Sequence, residues 1–196
     1  MLAGTPAWAE DVKIIFVTKP DYTGNLVEEA EKLGAGPKNL NKHADLSPGI
    51  EAADYICEHD PYLLADGAYE PDKAYKAMIG DETRYGCDDT GCSDGHSKNW
   101  VLAADTEYYT YLYDDELNNP YDGEAAPFGK TDGQALLPFS SEITSQYEGY
   151  VWTGLSYDWK EFGKDCYQWT SGDDGDQGRM GDNYNHDENS DLISAK

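Results

Sequence analysis

The sequence predicts a single α+β domain: a few short strands and two helices joined by long polar loops. Three observations carry this. The run VKIIFVT (Val12 to Thr18) is rich in β-branched residues and stops at Lys19-Pro20, which reads as a strand. SPGIEAADYICEHD (Ser47 to Asp60) carries Ser and Pro at the positions that open helices. From Gly149 to Gly181, Trp152, Trp159 and Trp169 alternate with Tyr150, Tyr157 and Tyr167 among Gly, Asp and Ser, so aromatic anchors are set in loop-forming sequence.

In chain order, Met1 to Asp11 reads as the end of a secretory signal or as a flexible N-terminal segment, and residues 12–196 as one domain. After the first strand, VEEAEKL predicts a helical turn or two, stopped by Gly34 and Gly36. In the next helix Ile50, Ala53, Ile56 and Cys57 share a face that is expected to lie on the sheet, leaving Glu51, Asp54 and Glu58 on a solvated face. PDKAYKAMIG (Pro71 to Gly80) predicts a short helix, and Trp100 to Ala103 and Tyr108 to Tyr113 predict strands. Asp114 to Ala135 has no period and reads as a functional loop or disorder. Gly149 to Leu155 resumes apolar content, and alternation over Asp165 to Thr170 predicts a strand.

A chain of 196 residues can build one ordinary core, here aromatic more than aliphatic, with 16 Tyr and 5 Trp. The 39 acidic residues outweigh 14 basic ones, for a formal charge of -25. A field of that sign repels nucleic acid and anionic membranes, and it accumulates cations. No apolar run reaches membrane-spanning length.

The four cysteines allow three pairings. Cys87 and Cys92 enclose a loop short enough to staple, which leaves Cys57 with Cys166 as a long-range bridge; zinc is the rival use of the closely spaced pair. Disulfides and polar loops point to a secreted or cell-surface setting. Candidate Ca²⁺ ligands are Asp173, Asp174, Asp176, Asp182 and Asp187, hard oxygen donors on Gly-punctuated backbone, although DDGDQGRMG lacks the closing glutamate of an EF-hand loop. Tyr108, Tyr109, Tyr111 and Tyr113 are candidate binding residues, because a tyrosine run in polar surroundings presents rings to a ligand or to a neighbouring subunit. Glu142, Glu148, Asp158 and Glu161 are the carboxylates a glycosidase would need near its aromatic platform, but no nucleophile motif, phosphate loop or HExxH accompanies them, so the expectation is a non-enzymatic protein.

The segments IFVTKPDYTGNL, GIEAADYIC, AYKAMIG, NWVLAADTEYY, VWTGLSYDW and CYQWTSGDDGDQGRMG together resemble the endostatin-like, C-type-lectin-like domain of bacterial (spirochaete-type) surface proteins. The resemblance implies a small, mostly antiparallel sheet flanked by two helices with a long loop region. It also implies a surface module that binds an extracellular protein or glycan, adhesin-like and Ca²⁺-stabilised. Cys57 and Cys166 match cysteines that, in that family, each bridge to a cysteine further along the chain. This chain stops at Lys196, before the family's closing strand, and it lacks the Glu-Pro-Asn and Gln-Pro-Asp triplets of Ca²⁺-dependent sugar binding. A self-assembling extracellular filament or surface-layer subunit is the alternative expectation.

Overall fold

The computed structural model describes residues 13–16, 18, 22–60, 74–86, 97–111, 125–130, 150–156, 159–161 and 163–182. Two helices and a helical turn pack around one buried cluster. α1 (Leu26–Lys32) is capped by Asn25, whose side chain accepts from the Glu28 N–H at 3.2 Å, and it gives way to Gly34 at φ +101°, a conformation suited to glycine. α2 (Pro48–His59) begins at Ser47, whose Oγ accepts from Ile50 N at 3.2 Å. Proline falls where a missing N–H costs nothing. Ile50, Ala53, Ile56 and Cys57 are buried as their spacing predicts, against Leu26, Ala30 and Leu40.

Strands β1 (Lys13–Ile14), β2 (Glu107–Tyr111) and β3 (Ala125–Lys130) make one sheet in that order, β1 parallel and β3 antiparallel to β2, with a register shift between Tyr108 and Tyr109. β4 (Tyr150–Trp152) and β5 (Met180–Asp182) form a separate antiparallel ribbon.

This arrangement corrects the predicted fold class. The described strands do not form one small, mostly antiparallel sheet flanked by two helices. They form two separate sheets, one containing a parallel pair, and α2 packs on α1 and on the turn at 166–169 instead of lying on the sheet. The C-type-lectin-like and endostatin-like resemblance is therefore not carried into the structure.

Local predictions are corrected too. Residues 74–80 are irregular, because the segment's N–H groups go to a side chain and to a distant stretch of backbone in place of helical partners: Ala77 N donates to Asp54 Oδ1 at 2.8 Å and Gly80 N to Thr153 O at 2.7 Å. Residues 100–103 make bends, not a strand. Part of the expected loop at 114–135 is β3.

The predicted strand at 165–170 is α3 (Cys166–Trp169), a single turn in which all four residues have positive φ, between 48° and 61°. Burying Cys166 and Trp169 three positions apart, with Tyr167 left 73% exposed, requires a turn; a strand would alternate them. Trp169 is fully buried, donates from Nε1 to Gly80 O at 3.0 Å and meets Trp152 edge-on at 6.0 Å. A second cluster of Leu102, Tyr108, Leu155 and Trp159 lies beneath β2.

Candidate functional site

The carboxylates of α2 are where the structure departs most from the solvated face the sequence predicts. Glu51 is only 4% exposed. It draws the 37–46 loop onto the helix by accepting from Lys42 N at 2.9 Å and His43 N at 2.6 Å, with His43 Nδ1 a further 3.0 Å away. One turn on, Asp54 meets Arg84 through both oxygens, Nη1 at 2.6 Å and Nη2 at 2.7 Å. The same Nη1 donates to Ala77 O at 3.1 Å.

Arg84 is 1% exposed, and its Nε–H has no acceptor among the described residues. A tight turn presents it: Asp81 and Arg84 exchange backbone hydrogen bonds, while Asp81 Oδ1 collects Thr83 N and Thr83 Oγ1, each at 2.6 Å, and Arg84 N at 3.1 Å. Asp81 Oδ2 accepts from Ser47 Oγ, which ties this turn to the start of α2. Each of these buried carboxylates is offset by several donors, the condition under which burial of charge is tolerated.

Together these elements wall an open cleft of about 420 Å³ between α2, the 39–46 loop, residues 74–76 and the pair Asn99 and Trp100. Three half-buried rings line it, each held by a second ring. Tyr55 stacks on His59 at 3.9 Å and 10°, Tyr75 stands edge-on to Phe16 at 5.7 Å, and Trp100 edge-on to Trp159 at 5.5 Å. Exposed Lys42, Lys76 and Asp45 stand around them. The volume falls in the range of roughly 300–1,000 Å³ typical of small-molecule sites.

The residues predicted from sequence lie elsewhere. Tyr108 is 5% exposed and its hydroxyl accepts from Ala103 N at 2.8 Å, so it is core; burial pushes its phenol pKa up. Tyr109 is half-buried, the structure describes only the backbone of Tyr111, and Tyr113 lies outside the described residues.

Asp173 and Asp174 are exposed, and Asp176 accepts from Ser171 Oγ within its own loop. Only the backbone of Asp182 is described, and Asp187 lies outside. Among the described residues no group of three or more His, Cys, Asp or Glu is placed to hold a metal ion.

Cys57 and Cys166 are both buried free thiols, which removes the expected bridge between them. They sit on different elements and turn into the core as apolar side chains: a Cβ on Gly24 would meet Cys166 Sγ at 2.5 Å. Cys87 and Cys92 lie outside the described residues, as do Glu142, Glu148 and Asp158. The described Glu161 bridges Leu155 through its backbone.

Sequence reading missed Glu51, Asp54 and Arg84 because charged residues on a helix face are mostly solvated, and their partners lie 8 to 30 positions away. The available signal was compositional. Basic residues are scarce in this chain, and a lone arginine in the tight-turn sequence GDETRYG is a natural partner for a helix carboxylate.

Fold and site thus define a protein of short helices and two small separate sheets with a ligand-sized cleft, and among the described residues no helix is long and apolar enough to cross a membrane. The model of a family described as "Protein of unknown function (DUF1554)" matches residues 39–186, most of the chain and nearly every segment that builds the cleft, and the chain belongs to that family. No curated protein and no solved structure matches it.

Proposed function

We propose that this chain is a secreted or cell-surface binding module without catalytic activity, and that the cleft beside α2 is its ligand site. The observation that carries this reading is the way the cleft's carboxylates are used. Glu51 and Asp54 are committed to structural hydrogen bonds, which leaves them poorly placed to exchange protons with a substrate, while braced aromatic rings offer a surface that needs no rearrangement on binding. The strongly acidic surface supports a setting outside the cell, where it keeps the protein soluble and apart from anionic membranes. Self-association through the tyrosine run has less support, since Tyr108 is in the core.

The test has two parts. Protease treatment of intact source cells should remove the protein, and the purified chain should bind extracellular proteins or glycans, with binding weakened by Ala74→Trp, which places bulk at the cleft rim. A protein protected inside the cell, or binding indifferent to the rim substitution, would sink the reading.

A further inference from the structure

Given that the cleft is a ligand site, its chemistry selects among ligands, and we infer that it takes a neutral oligosaccharide without the help of a metal ion. The inference deepens the functional reading above and rests on it.

Charge excludes the ionic classes. Arg84 is cancelled by Asp54, Glu51 is held by two backbone N–H groups and His43, and the remaining Lys42 and Lys76 are balanced by Asp45 and Glu58. An anionic ligand gains little from such a balanced site and must also approach a chain of net charge -25. An organic cation, which the overall field would attract, meets the same balanced lining and finds no unpaired carboxylate to hold it there: Glu51 and Asp54 are committed, and Asp45 and Glu58 stand beside Lys42 and Lys76.

What the cleft offers in surplus is aromatic surface and neutral hydrogen-bonding capacity. A pyranose ring has an apolar face of C–H groups, weakly positive, that complements the negative face of Tyr or Trp, and a rim of hydroxyls that both donate and accept. Tyr55, Tyr75 and Trp100 supply the rings, each fixed by its own partner, so ordering them on binding costs little. Asn39 and Asn99 lie within the same lining, and their positions are set: Asn39 Oδ1 accepts from Gly36 N at 3.0 Å, and Asn99 Nδ2 donates to Thr83 O at 3.1 Å. The other half of each amide is the kind of group that pairs with a sugar hydroxyl.

The experiment is an array of neutral hexose and N-acetylhexosamine oligosaccharides beside sulfated and uronate-containing ones, probed with the full chain in chelator, alongside deglycosylated extracellular proteins. Neutral oligosaccharides should bind, and Tyr55→Leu, which keeps apolar bulk and removes the ring, should weaken them at least tenfold with the melting temperature retained. If that variant does not fold, the indole N–H signal of Trp100 in the wild-type protein should shift on titration with the bound oligosaccharide. Binding confined to acidic glycans, no oligosaccharide bound at all, or a Trp100 signal that stays in place overturns the inference. Binding of deglycosylated protein alone, weakened by Ala74→Trp, overturns the ligand class while the binding-module reading stands.

Discussion

Asp54 and Arg84 face each other carboxylate to guanidinium, 2.6 and 2.7 Å apart at their two contacts, and join the middle of α2 to the turn at 81–84. The arginine is almost wholly buried, so the charge has no access to water if its partner is lost. Asp54→Ala should therefore destabilise the protein by about 3–5 kcal/mol. Replacing both residues with Leu and Met should recover most of that, because an apolar pair leaves no uncompensated charge. Denaturant unfolding of the two variants makes the comparison. A single variant as stable as the wild type would show that the pair contributes nothing.

The helix that carries Asp54 was legible in the sequence, and its surroundings were not. Ser47, Pro48 and the Ile50, Ala53, Ile56 and Cys57 stripe act within a few residues of one another, so capping chemistry and periodicity reveal them directly. The face opposite the stripe is decided by what packs there, and that depends on a loop eight residues back and a turn thirty residues on. At 165–170 the pattern misled for a different reason. Alternation of Cys166, Gln168 and Thr170 against Tyr167 and Trp169 favours a strand by local rule, but Cys166 and Trp169 are both claimed by the core, and a left-handed turn is what delivers them together.

That turn makes a second prediction. Tyr167 sits at φ 55°, ψ 58°, a conformation that costs a residue with a Cβ about 1–2 kcal/mol, and with 73% of its surface exposed it has little burial to lose. Glycine removes the steric cost at an entropic penalty of roughly 0.5–1 kcal/mol. Tyr167→Gly should thus raise stability by about 0.5–1 kcal/mol, while Tyr167→Ala, which retains the Cβ, should not. Thermal unfolding of the pair decides it, and a glycine variant less stable than the alanine one would contradict the left-handed geometry.

The thiols predict an alkaline limit. Burial, reinforced by Asp54 and Asp60, pushes the Cys57 thiol pKa up, and burial followed by Asp176 does the same for Cys166. The folded state therefore holds these protons where the unfolded chain releases them. The stability that comes from keeping the thiols neutral is complete below the unfolded thiol pKa of about 8.5, and it falls as pH rises from there towards the folded values. Melting temperature should decline above that pH, and the decline should be shallower in Cys57→Ala once its lower starting stability is subtracted. Mass-spectrometric mapping of iodoacetamide labelling should find Cys57 and Cys166 unmodified in native protein at neutral pH and modified in denaturant. Labelling of either in the native state would contradict its buried placement.

Ser47 holds two structures together, and its removal separates their contributions. Its Oγ accepts from Ile50 N as the cap of α2 and donates to Asp81, a fully buried carboxylate, while its own N–H donates to Thr83 Oγ1 at 3.0 Å. Loss of a cap costs about 1 kcal/mol. Loss of a hydrogen bond to a buried charge adds about 1.5–3 kcal/mol, so Ser47→Ala should cost about 2.5–4 kcal/mol in all. Thr83→Val removes a second donor from Asp81 and the acceptor of Ser47 N. Since both substitutions draw on the same carboxylate, the double variant should depart from the sum of the singles by more than about 0.5 kcal/mol. Ser47→Thr keeps the hydroxyl and should stay near wild type. If the double-variant cycle closes additively, Asp81 is not the shared anchor, and the coupling between the start of α2 and the turn that presents Arg84 has to run through the backbone alone.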